Sequence, residues 1–262
     1  MVAYLQGIWR CRYFWLMLVR NDLRQRYRRS LLGLGWSLLQ PVAMTCIICF
    51  VFHAVLNPDA DVAEYGGSVL AGLACWNYIL TSTIQGCQCI YLGESYIRQY
   101  PAPMAIYPLR TALAGTFHFL IAMAMVMVLS WCITGFGNLL VLPSIVASLA
   151  ILFVVTWSLA ILAGFANVFF QDTQHLCEVG FQIMFYMTPI IYPESLLRAN
   201  NLSWLADWNP VRALVDLVRQ PILEGRMPTP STWVIATLTA AFLASAASLT
   251  LARLQKRLIF SL

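Results

Sequence analysis

The sequence predicts an all-α, polytopic membrane protein with six transmembrane helices, and three observations predict it. Sixty per cent of the 262 residues are hydrophobic and ten per cent are charged, against roughly 25% charged in a soluble domain. The charges are also segregated. Residues 30–58, 65–93, 111–171 and 227–252 contain no Asp, Glu, Lys or Arg, and a helix needs about 20 apolar residues to cross a bilayer. Finally, seven arginines precede the first of these runs: Arg10, Arg12, Arg20, Arg24, Arg26, Arg28 and Arg29. Such a flank belongs on the cytoplasmic side.

The N-terminal segment, 1–36, begins this order. Leu16, Val19, Leu23 and Tyr27 recur at helical spacing beside a stripe of Arg20, Arg24 and Arg28. That pattern predicts an amphipathic helix lying in the cytoplasmic interface, with its guanidiniums at lipid phosphates. The six-helix domain, 37–252, follows, with spans expected at about 37–56, 67–89, 109–134, 140–168, 177–193 and 231–252. Gly135, Gly137, Asn138 and Pro143 divide the longest uncharged run into an antiparallel pair. Pro189 and Pro193 kink or end the fifth span.

Orientation follows from the basic residues in the flanks. The loop after the first span carries Asp59, Asp61 and Glu64 without a cation, whereas the loop 90–108 carries Arg98. Arg110 stands just beyond that loop, and the tail, 253–262, holds Arg253, Lys256 and Arg257. Both termini are therefore expected in the cytoplasm. Asp172 and Glu178 fall on that side too, without a basic neighbour, but acidic residues contribute little to the rule.

Several function classes are excluded or disfavoured. Arg10 and Arg12 are followed by only a short apolar stretch, 13–19, and then more arginine, so no cleavable signal is expected. The eight cysteines do not read as a disulfide framework; Cys46, Cys49, Cys75, Cys87, Cys89 and Cys132 read as small apolar residues in or at the ends of spans, and Cys46-x-x-Cys49 has no His or carboxylate beside it to make a metal or redox pair. The one lysine, Lys256, follows Leu254-Gln255, so no phosphate-binding loop can be built on it. No carboxylate stands at mid-depth in a span, as ion coupling would require. His53 and His118 read as helix–helix hydrogen-bonding residues. A membrane-embedded glycosyl- or acyltransferase is the competing class, but Ser, Cys and His are dispersed and no acid–base pair is evident. Asp172 and His175 have the spacing of a helix cap.

At Arg26-Tyr27-Arg28-Arg29-Ser30-Leu31-Leu32-Gly33, followed by Trp36 and Pro41, the chain resembles the permease subunits of ABC-2 type exporters. The branch it resembles exports O-antigen, capsular polysaccharide or teichoic acid; drug and lipid exporters share the fold. The resemblance implies a bacterial inner-membrane homodimer working with two copies of an ATP-binding subunit. ATP and Mg would then sit on that partner, no cofactor on this chain, and nucleic acid would play no part.

The resemblance also implies roles for particular residues. Arg24, Arg26, Arg28 and Arg29 would receive the head of a lipid-linked polysaccharide. The short polar stretch 94–100, with Glu94, Tyr96, Arg98 and Tyr100 and the stop at Pro101, would be the coupling helix that docks on the ATPase. Segment 194–230 would hold short re-entrant outer gate helices. There Asn209 can cap a helix opened by Pro210, with Val211, Leu214, Val215, Val218 and Ile222 on one face and Glu224-Gly225 at its end. Arg212, Asp216 and Arg219 are expected away from that face. Trp76, Tyr78, Trp204 and Trp208 would be channel and gate aromatics, since a flat ring suits a sliding sugar.

Overall fold

The computed structural model describes residues 2–27, 33–56, 61–99, 102–134 and 141–258, and within them every regular element is helical. Helices α1 (Val2–Arg10) and α2 (Arg12–Tyr27) meet at Cys11. A tight turn at Gly33–Gly35, with Gly33 at φ +49°, leads into α3 (Trp36–Leu56). The Asp61 carboxylate accepts the Ala63 N–H and so caps α4 (Val62–Gln88). A second tight turn, Tyr91–Gly93, carries the chain into α5 (Glu94–Gln99). Then follow α6 (Ile106–Thr134), α7 (Leu142–Phe169), α8 (Thr173–Met187), α9 (Glu194–Ala199), α10 (Ser203–Asp207), α11 (Pro210–Leu223) and α12 (Pro230–Leu258).

Residues Ile106–Cys132, Pro143–Phe169 and Pro230–Gln255 form helices long and apolar enough to cross a membrane, and Trp36–Phe52 is a shorter apolar stretch. At 1.5 Å per residue the three long stretches extend about 40 Å, beyond the roughly 30 Å hydrocarbon core. The chain is a multi-pass membrane protein.

Helix α4 is equally long but more polar, and its position explains why. It packs against α3, α6, α7, α8 and α11, so protein rather than lipid surrounds it. The Thr83 and Tyr78 hydroxyls are satisfied within the bundle. Thr83 donates to the Ile79 carbonyl, while the Tyr78 hydroxyl meets Thr116 of α6 at 2.7 Å and Thr156 of α7 at 2.9 Å. Glycines allow the close approach: a methyl on Gly86 would lie 2.7 Å from the Ala160 Cα of α7.

The two ends of the bundle differ. At one end α2, α5 and the start of α6 gather with the last turns of α12. At the other, α11 seals the bundle, with Ser130 of α6 donating to the Ile222 carbonyl and Ser148 of α7 to that of Leu217.

Four differences from the sequence expectations are plain. The fifth helical stretch ends at Met187 rather than near 193, because Thr188 turns extended ahead of Pro189 and its hydroxyl folds back on the Met184 carbonyl. Segment 194–230 holds three short helices, α9, α10 and α11, where a pair was expected. On α2 the protein-facing side runs through Phe14, Leu18 and Asp22, while Leu16 is exposed beside Met17. Arg219 does not stay on the polar side of α11: its guanidinium is buried, donating to the Ser68 carbonyl at 3.2 Å. Arg28, Arg29, Tyr100, Pro101 and the Gly135–Asn138 turn lie outside the described residues, as does the His53 side chain.

Candidate functional site

A cavity of about 270 Å³ opens where α2 meets α3, α4 and α6. Each helix gives it one face. Ala74, Asn77, Tyr78 and Thr81 repeat on α4 at the spacing that Gly115, His118, Phe119 and Ala122 follow on α6. Helix α3 contributes Trp36, Ser37 and Gln40 from its first turns, and Pro41 interrupts the backbone ladder there. Ser37 Oγ and His118 Nδ1 are 3.0 Å apart and join α3 to α6. Arg26, in the last turn of α2, stands over the opening. Arg24 is exposed on the same helix and does not line the cavity. Of the four arginines singled out in the sequence, the structure thus brings Arg26 to a polar cavity.

Sequence reasoning missed Gln40, Asn77 and Thr81. The signal was available: isolated amide and hydroxyl residues at i and i+4 in otherwise apolar runs, opposite His118 in another run.

The aromatic candidates divide. Trp76 is 4% exposed and packs edge-on to Phe181 of α8, with Phe185 5.3 Å away. Tyr78, 3% exposed, stacks on Phe119 at 4.8 Å and walls the cavity. Both are core residues of this chain. Trp204 and Trp208, at 57% and 85%, are open to the surroundings.

Around α5 the packing is close. Tyr96 is half-buried and lies edge-to-face against Phe14 of α2 at 5.9 Å. Arg98 pairs with Glu94 at 2.8 Å on the exposed side. Gly93 rests on the Tyr107 ring, which any side chain there would strike. The Tyr4 hydroxyl of α1 accepts the Ala105 N–H, and Trp157 of α7 donates to the Ala105 carbonyl. Helices α1 and α2 and the turn after α5 therefore form one packed unit.

At the opposite end Asn209 caps α11, as its position before Pro210 suggested, accepting from the Val211 and Arg212 N–H groups. Its amide also donates to the Thr188 hydroxyl, which holds α11 to the end of α8. Arg212 reaches Glu194 of α9 at 2.6 Å, Asp207 of α10 at 3.4 Å and Asp216 at 3.3 Å. One guanidinium thus ties three short helices together. The Tyr65 hydroxyl of α4 donates to the Ile191 carbonyl at 2.6 Å and fixes the same turn.

The sequence is similar to those of known export and transport proteins. An O-antigen export system permease protein, RfbA, of Klebsiella pneumoniae is 24% identical over 222 residues, covering 81% of each chain. RfbA of Myxococcus xanthus is 22% identical over 231 residues, 87% of each. The polysialic acid transport protein KpsM of Escherichia coli is 17% identical over 205 residues, 78% of this chain and 79% of that one. The ABC-2 type transporter family matches residues 13–223, and the chain belongs to it.

Proposed function

We propose that this chain is the permease subunit of an ATP-driven exporter that moves a lipid-linked polysaccharide of the O-antigen kind across the bacterial inner membrane. The single observation that carries the reading is the match along about four-fifths of both chains to O-antigen export permeases. The chain itself contributes passage rather than chemistry. Its sequence offers no phosphate-binding loop, so ATP and Mg belong to a separate ATP-binding subunit. Capsule and teichoic acid exporters, and drug or lipid exporters of the same fold, are the neighbouring alternatives; likeness to the polysialic acid transport protein KpsM favours a polysaccharide among them.

In the architecture we favour, α3, α4, α6, α7, α8 and α12 make six spans with both termini in the cytoplasm. Helix α2 then lies in the inner interface, α5 meets the ATPase, and α9–α11 dip back from the outer surface. Two copies form the pathway, each above one ATPase subunit. Trp204 and Trp208, open at the outer end, are placed to meet sugar rings as they leave.

The test is genetic and direct. In a host lacking its own permease of this kind, the chain with its ATPase should restore surface polymer, and without either subunit polymer should accumulate inside. Surface polymer that persists when the ATPase is removed would overturn the reading.

A further inference from the structure

Polar side chains are costly within a bilayer, and where they gather round a cavity they mark a place that receives something polar. The cavity between α2, α3, α4 and α6 is such a place. Its lining extends to Ala122, about 24 Å along α6 from Ile106 at 1.5 Å per residue. It is therefore no shallow dent at the headgroup level.

Its chemistry is mixed. One guanidinium, exposed Arg26, lines it from α2, and its other polar side chains carry no formal charge: exposed Gln40, half-buried Asn77 and Thr81, and the hydrogen-bonded Ser37–His118 pair. Among the described residues no carboxylate lines it. Carboxamides can bridge hydroxyls without a charge to desolvate, and the exposed ring of Trp36 offers a flat apolar face beside them. One cation beside neutral hydrogen-bonders suits an anionic group joined to a polyhydroxylated one. Trp36 and Gln40 are exposed, so the cavity is open along α3, and an attached acyl chain can leave it there.

We infer that this cavity binds the head of a lipid-linked saccharide, with its phosphate at Arg26 and its first sugar between Asn77, Gln40 and Trp36. This inference rests on the transport reading and goes beyond it: the head is received inside the α3–α4–α6 wall of one chain, not on surface arginines alone.

The test is equilibrium binding of labelled farnesyl diphosphate-linked N-acetylglucosamine to the full-length protein in phosphatidylethanolamine nanodiscs. Arg26→Gln should weaken binding about tenfold, the loss of one charge-assisted contact. Asn77→Leu and Gln40→Ala should each weaken it several-fold; Gln40 is exposed, so its variant keeps the fold. Arg198→Gln, at the far end, should bind as the parent does. Phosphatidylglycerol and free N-acetylglucosamine 1-phosphate should displace the probe poorly. Unchanged binding in both Asn77→Leu and Gln40→Ala would overturn the site. Equal displacement by phosphatidylglycerol would make it a general anionic-lipid site, and equal displacement by the free sugar phosphate would make the lipid irrelevant; either overturns the inference. Surface polymer is scored in the same strains. A parent that exports polymer without cavity-dependent binding sinks this inference alone, whereas a parent that exports none sinks the transport reading.

Discussion

The Asp22 carboxylate of α2 lies 3.2 Å from Nε of Arg110 on α6, and that arginine side chain is only 7% exposed. The Nε–H is not aimed at the oxygen, so this is a charge pair rather than an aligned hydrogen bond. It seats α2 on the bundle beside the Ile106–Leu109 contact with Leu18.

Burial pushes the Asp22 carboxyl above its ordinary range, and Arg110 only partly offsets this. Its charge therefore costs stability near neutral pH, and that cost fades as pH falls through the raised value. Asp22→Asn should accordingly change stability by less than about 1 kcal/mol at pH 7.5 and flatten the pH dependence toward pH 5. Asp22→Lys, which sets a second cation against Arg110, should unseat α2. Thermal unfolding of the purified protein at the two pH values separates the outcomes.

Helix α5, proposed to meet the ATPase, yields a divided expectation. Arg98 is exposed and pairs with Glu94 of its own helix, so Arg98→Ala should cost less than about 1 kcal/mol of stability, and a loss of ATPase co-purification beyond that reports on docking. Tyr96 packs on Phe14, so Tyr96→Ala should cost about 1–3 kcal/mol and be mimicked by Phe14→Ala. Co-purification with the ATPase, scored beside thermal unfolding, distinguishes lost docking from lost packing. If Phe14→Ala unfolds normally while Tyr96→Ala does not, the internal contact is not what Tyr96 provides.

Close crossing of α4 and α7 makes a steric prediction. Gly86→Val should cost about 1–3 kcal/mol, because the added atoms meet the Ala160 backbone and nothing there can move aside cheaply. Gly180→Ala on α8 points into open space and should be neutral. Expression level and unfolding temperature of the two variants give the comparison.

At the far end, Arg219 is buried between α4 and the turn after α8, donating to the Ser68 and Pro189 carbonyls. Asp216 faces it from the same helix and shares Arg212. Arg219→Met should cost on the order of 3 kcal/mol, since it strips two carbonyls and leaves a buried carboxylate with less countercharge. Adding Asp216→Asn should recover part of the loss. A double variant no better than the single one would remove the charge argument and leave only packing.

Much of this was legible in the sequence because membrane helices are written in composition. The charge-free runs became α3, α4, α6, α7 and α12, and Asn209-Pro210 opened α11 as capping chemistry requires. What stayed hidden depends on which neighbour each face meets. Leu18 rather than Leu16 turns inward on α2 because Ile106 and Leu109 lie there, contacts far away in sequence. Arg219 reads as a surface charge until the Ser68 carbonyl of α4 is placed against it. Trp76 reads as an interface aromatic until Phe181 and Phe185 close over it. The cavity was half visible: its polar residues stand out singly, but their meeting needs four helices.

The most direct measurement is reconstitution of this chain with its ATPase partner in liposomes that carry the lipid-linked polysaccharide on one leaflet. The expected result is polymer appearing on the opposite side only when both subunits, ATP and Mg are present, with the movement abolished by an ATPase-inactive partner. Polymer that crosses without ATP hydrolysis, or an active ATPase complex that moves none, would contradict the assignment of this chain as the permease of a polysaccharide exporter.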